Sequence, residues 1–276
     1  MSESGRGPLT GSDWLNLPYG KIYSELEEAQ DECNNHDANV QSVKGALSTK
    51  QGTDEHGRKI VKAYCEASQK KNAQQKSSED MYCNVVYYWI GDTLYNVLDE
   101  GSNNFSDLMS RVYSILRGEY AENKCDIVYK DGIDKDLFGY RKKVYEFSQN
   151  YEEIQQQLRR HIQKCDENYF DNLKAAEEAF SAVLTDCNGK IDPYCMQFKN
   201  TFDVSNGQIP LTLSYNGSSK SKGESDQEVT VYNNVQLKLN FASKANPTAT
   251  IVSSILGIAG LPTITFFLYK RQQRKE

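Results

Sequence analysis

Seven cysteines and three histidines are the residues of this 276-residue chain best suited to do chemistry. Cys33, Cys65, Cys83, Cys125, Cys165, Cys187 and Cys195 form no CxxC, and no histidine stands at metal-ligand spacing from a cysteine pair. A zinc site is therefore not expected. His36 and His56 lie in polar stretches and His161 in a helical one. HExxH, GxSxG, the P-loop pattern and GxGxxG are all absent. A membrane-tethered hydrolase would need His161 or His56 to meet a thiol in the fold. The acidic pairs Glu27/Glu28, Glu152/Glu153 and Glu177/Glu178 fall on expected helix surfaces, where they are solvated charge. Asn104-Phe-Ser and Asn216-Gly-Ser fit the glycan acceptor pattern and mark exposed loops. The expectation is a chain that is not an enzyme and uses no cofactor or metal. Its cysteines suit disulfides, at most three with one left over, if the domain faces an oxidising compartment; in the cytosol they would be buried thiols.

The elements that must hold these residues are mostly helical. Residues 1–16 read as a flexible arm because Gly5, Gly7, Pro8 and Gly11 interrupt any pattern. After Pro18, the residues Ile22, Leu26, Ala29 and Cys33 recur at helical spacing. "NNHDANVQSVKGALSTKQGTDEHG" reads as an irregular loop, followed by a short helix with Ile60, Val61, Tyr64 and Cys65 on one face and then a polar break, "SQKKNAQQKSSED". Cys83, Val86, Tyr87, Ile90, Leu94, Val97 and Leu98 mark the central, most buried helix, and Leu108, Val112, Ile115 and Leu116 the next, ending at Gly118. Val144, Phe147, Tyr151, Ile154, Leu158, His161 and Cys165 step by three or four. Asp166 is placed to cap a further helix carrying Tyr169, Leu173, Ala176, Phe180, Val183 and Cys187, and the two should pack as an antiparallel pair. Residues 17–200 are thus expected to form a helical ectodomain. In 201–248, Leu211, Leu213 and Tyr215 alternate so as to pair with Val235, Leu237 and Leu239 in a small β-hairpin, the alternative being an extended stalk.

The C-terminal part is of another kind. From Ala245 to Tyr269 no side chain ionises except the last tyrosine. As a helix this run would extend about 37 Å, more than the roughly 30 Å hydrocarbon core of a bilayer. Residues 249–269 are accordingly read as one transmembrane helix, with Ala249, Ile251, Ile255, Gly257, Pro262, Phe266 and Leu268 in the lipid and Tyr269 at the interface. Gly257 and Pro262 are tolerated there because neighbouring groups re-satisfy the backbone. Ser253 and Gly257 form a small-xxx-small pair suited to close approach of two spans. Lys270, Arg271, Arg274 and Lys275 make 270–276 a short basic cytoplasmic tail, which puts the N-terminal domain outside. The first twenty residues have no apolar core of the kind a signal peptide needs, so a tail anchor with the domain in the cytosol remains the second topology.

The chain carries −6, and because the segment after Thr248 contributes +3, residues 1–248 carry −9. A polyanion does not neutralise phosphates, so nucleic acid is excluded as a partner. The lipid bilayer is the partner that composition implies. The eighteen tyrosines read first as helix-packing residues.

"YCNVVYYWIGD" (82–92), "CDIVYKDGIDKDLFGYRKKVYEFSQNYEEI" (125–154) and "SSILGIAGLPTITFFLYK" (253–270), with "LPYGKIY" near the start and "IVKAYC" at 60–65, together resemble the Plasmodium interspersed repeat (PIR) family, in its KIR/VIR branch. Residues 206–240 have no counterpart in that pattern. The resemblance implies a variant surface antigen with a mainly helical exposed domain, one C-terminal span and a short cytoplasmic tail, exported to the infected erythrocyte without a conventional signal peptide. It implies immune evasion or host-receptor adhesion, with host cell-surface receptors or antibodies as partners and no catalytic residues. The alternative is a tail-anchored, non-enzymatic interaction protein with its helical domain in the cytosol.

Overall fold

The computed structural model describes residues 7–28, 37–47, 53–73, 79–97, 105–119, 125, 133–222 and 228–242. Among them the chain forms α1 (Gly11–Leu15), α2 (Pro18–Glu27), α3 (Asp37–Leu47), α4 (Thr53–Ala73), α5 (Glu79–Val97), α6 (Phe105–Glu119), α7 (Lys135–Arg160), α8 (Glu167–Asp186) and α9 (Pro193–Thr201). Five short strands accompany them: β1 (Cys165–Asp166), β2 (Leu211–Ser214), β3 (Ser218–Lys222), β4 (Glu228–Tyr232) and β5 (Gln236–Leu239). The fold is mainly helical, with small antiparallel sheets. No helix among the described residues is long and apolar enough to cross a membrane. The expected span 249–269, from Ala249 and Ile251 through Ile255, Gly257 and Pro262 to Phe266 and Leu268, lies outside the described residues, as do the tail 270–276 and Cys33.

Two hydrophobic cores share one helix. The first gathers α2 to α6 around α5, whose residues from Tyr82 to Gly91 are buried without a break. A helix apolar on every side must be surrounded, and α5 contacts α4, α2, α6 and α7. Gly91 allows the closest of these approaches: a Cβ built there would stand 2.0 Å from the Phe138 ring. That ring, from α7, fits among Tyr87, Tyr88, Tyr95 and Phe105 at centroid distances of 5.9, 5.6, 5.3 and 5.0 Å. Packing of this kind accounts for many of the tyrosines.

The second core is built on the α7–α8 pair. Asp134 caps α7 by accepting from Leu137 N–H at 2.8 Å, and Asp166 caps α8 by accepting from Tyr169 N–H at 2.8 Å. The chain reverses between them through Ile162 and Gln163, both at positive φ. Val144, Phe147, Ile154 and Leu158 of α7 join Leu173, Ala176, Phe180 and Val183 of α8 in this core.

Four expectations need correction. The arm is ordered from residue 7: Leu9 exchanges backbone hydrogen bonds with Lys164 and Asp166, Trp14 packs edge-on to Tyr169 at 5.4 Å, and both apolar side chains are buried. Two isolated apolar residues have no periodicity to read, so only tertiary contact reveals them. The stretch read as a loop contains α3, because Val40, Val43 and Leu47 occupy one face and are buried despite polar neighbours. The short helix is the 21-residue α4, which runs into the polar stretch as far as Ala73 and keeps Ala67 and Ser68 buried. Residues 201–242 are not a stalk. Strands β2 and β5 pair Leu211 with Leu239 and Leu213 with Leu237, and between them β3–β4 forms a second hairpin that pairs with β1. Leu211 and Val235 belong to the second core.

Replacing Gly91 by alanine forces the Phe138 ring out of its aromatic surround. G91A is expected to lower stability by about 3 kcal/mol, measured as a fall in the urea midpoint at constant m-value; an unchanged midpoint would refute the packing. Buried tyrosines set a second expectation. Tyr19, Tyr113 and Tyr169 are buried, and burial holds each phenol protonated well above its usual range. The unfolded chain loses these protons near pH ~10 while the native state keeps them. Stability is therefore complete below that pH and falls as pH rises, by up to about 1.4 kcal/mol per unit for each group. Tyrosinate absorbance in an alkaline titration should rise in part, then jump with the loss of helical circular dichroism; a smooth rise to full ionisation of a still-helical protein would contradict it.

Candidate interaction surface

The groups that could do chemistry are mostly committed to structure. Cys83 is joined to Cys125, and Cys187 to Cys195. Cys65 is also disulfide-bonded, to a residue outside the described set. Cys165, a candidate disulfide cysteine by sequence, is instead a buried thiol. Burial, then the charge of Asp166, pushes its pKa up to about 12, so the thiolate a nucleophile needs is suppressed. His161 stands at the C-terminus of α7, where Nδ1–H donates to the Gly7 carbonyl at 2.7 Å and secures the arm. His56 lies on α4, and His36 is outside the described residues. One member of each acidic pair is engaged: Glu27 accepts from the Trp89 indole N–H at 2.9 Å, Glu177 accepts from Leu213 N–H at 2.9 Å, and Glu153 pairs with Arg160 at 3.3 Å on the exposed face of α7.

Among the described residues, Asp186, Cys187 and Cys195 come nearest to a metal set, with ligand atoms within 4.8 Å of one another. The two sulfurs are bonded to each other, and Asp186 already pairs with Arg141 at 3.2 Å and with Lys190. Burial would raise the pKa of Asp186, but the hydrogen bonds from Lys190 and Arg141 outweigh it and hold the carboxyl below its usual range. An incoming cation would meet two positive charges there. The Arg141 guanidinium also lies 3.9 Å over the Tyr194 ring, so the cluster is a clamp joining α7, α8 and α9. A crevice beside it, lined by Asn84, Tyr88, Tyr145, Ser148 and Phe198, has a volume of about 30 Å³, room for about one water.

What remains is surface. Ile191 and Met196 are exposed, at the positions before and after the Asp192 cap where apolar residues staple a helix start. A more organised patch lies where the sheet covers the start of α8. Phe170 is buried and stacks on Tyr232 of β4 at 3.7 Å and 7°. Tyr215, half exposed after β2, stands edge-on to Phe170 at 4.8 Å and to Tyr232 at 5.6 Å. Glu167 and Asp171 are exposed one turn apart on α8. Partial burial, then these two carboxylates, raises the pKa of the Tyr232 phenol. The sequence pattern assigned Tyr215 to a strand and left Glu167, Asp171 and Tyr232 unassigned, because the patch depends on the unread β3–β4 hairpin folding back over α8.

The free thiol can be checked directly. Iodoacetamide at about pH 8 should leave the native, unreduced chain unlabelled at Cys165 and modify that residue once the chain is denatured; rapid labelling of the native protein would overturn the assignment.

With this geometry in hand, the chain can be compared with known proteins. The family model described as Plasmodium vivax Vir protein matches residues 17–259, which takes in both cores and runs into the apolar C-terminal segment. No curated protein and no solved structure matches the chain. The chain belongs to the Plasmodium Vir protein family.

Proposed function

We propose that this chain is a variant surface antigen of a malaria parasite, displayed on the infected erythrocyte for immune evasion or host-receptor adhesion. Its helical domain stands outside the cell, the 249–269 span holds it in the bilayer, and residues 270–276 face the cytoplasm. It is not an enzyme and needs no cofactor, and its partners are the lipid bilayer and host receptors or antibodies. The observation that carries this reading is the state of the cysteines. Two disulfides among the described residues, and a third at Cys65, suit an oxidising compartment rather than the cytosol. The basic cluster after the apolar run supports the same orientation. The −9 charge of residues 1–248 suits a solvated exposed domain and opposes nucleic-acid binding.

Protease shaving of intact infected cells, with a cytosolic marker to control permeability, tests display. Loss of the N-terminal domain with survival of a small C-terminal membrane fragment is expected. An undigested domain on demonstrably intact cells, or reduced thiols at Cys83 and Cys125 by non-reducing mass spectrometry, would favour the tail-anchored cytosolic arrangement instead.

A further inference from the structure

We infer that Tyr215, Tyr232, Glu167 and Asp171 form a docking surface for an arginine side chain on a segment of a partner protein. Aromatic rings attract cations through the negative face of the π-system, and an arginine guanidinium adds planar stacking and a fork of N–H donors that matches carboxylates. The patch offers both partners at once. Tyr215 is 49% exposed. Glu167 and Asp171 flank Phe170 on α8 beneath Tyr232, both are exposed, and neither stands in an ion pair among the described residues. Glu153, Glu228 and Asp186 contrast with them, each holding a cation of this chain.

The surface is also rigid. Phe170 backs Tyr232 face to face, β4 is paired on both sides by β1 and β3, and the Asp166 cap fixes the first turn of α8 that carries Glu167. Preorganised groups bind without paying to be ordered first. A quaternary ammonium fits less well: it has no N–H to give the carboxylates, and this shelf is open where such ligands need a closed cage. The surface belongs to the folded domain. Its failure would leave the membrane arrangement intact, and a failed shaving experiment would leave the surface intact.

The test titrates the full chain in detergent micelles against a fluorescein-labelled peptide, Gly-Arg-Gly-Arg-Gly-Arg-Gly, read by anisotropy at low and high salt. The same peptide with citrulline in place of arginine serves as the neutral control, and phosphocholine as competitor. Salt-sensitive binding of the arginine peptide alone is expected. Tyr215→Ala should weaken it about fivefold to tenfold, Tyr215→Phe should restore it, and Glu167→Gln with Asp171→Asn should weaken it about tenfold. Circular dichroism confirms that each variant is folded. Equal binding of the citrulline peptide, no binding of either peptide, or an unchanged affinity in folded Tyr215→Ala would each overturn the proposal. Displacement by phosphocholine that Tyr215→Ala abolishes would assign the shelf to a choline headgroup and overturn it as well.

Discussion

Everything described here is held in place by one helix serving two cores from opposite sides. On α7, Phe138 and Tyr145 belong to the first core, while Val144, Phe147, Ile154 and Leu158 belong to the second. At 3.6 residues per turn the mean directions of the two sets lie about 155° apart. A helix so loaded cannot rotate or slide without opening one core or the other. Its polar residues add direction to that constraint. Lys142 ties it to Asp92 of α5, Asn150 accepts from the Tyr19 N–H at 3.0 Å, and Arg141 reaches Asp186 of α8. Removing Asp186 would leave the buried Arg141 guanidinium without its carboxylate, a loss of about 3–5 kcal/mol, whereas removing Arg141 leaves Asp186 its Lys190 partner.

The disulfides add covalent ties to the packing that this helix organises. Cys83–Cys125 closes a separation of 42 residues and pins Cys125 to the central helix, where Tyr64 hydroxyl also accepts its N–H at 3.0 Å. Cys187–Cys195 closes only 8 residues, between the end of α8 and the start of α9. Loop-closure entropy makes the first worth about 4 kcal/mol and the second about 2.5. The longer bridge therefore restrains the first core, whose connections are long and polar. The shorter one fixes a corner that the Arg141 clamp already secures.

How much of this was legible follows from the same physics. The cap at Asp166 and the buried α5 could be read because each depends on a few consecutive residues and a helical period. Helix α3 was missed because Val40, Val43 and Leu47 are diluted by polar neighbours that face water. Leu9 and Trp14 were missed because two apolar side chains make no period, and their burial depends on a turn more than 140 residues away at Lys164. The β2–β5 pairing was visible in its alternation. The hairpin inserted between the two strands was not, since β3 is all serine and lysine and pairs only because β4 is anchored by β1.

That inserted hairpin brings an aromatic side chain of β4 onto the start of α8. Tyrosine is used in two ways in this chain: Tyr64, Tyr87 and Tyr113 fill the first core, whereas Tyr232 lies half-buried at the edge of the second and Tyr215, just after β2, stands half exposed beside it. This pair differs from a scattered set of surface aromatics because Phe170, a core residue of α8, stacks beneath it. Tyr232 is fixed at the C-terminal end of β4, where it pairs with Cys165 and Ser218. The aromatic and acidic shelf therefore draws its geometry from the same α7–α8 pair that holds the second core, because Phe170 and the turn that carries it belong to α8.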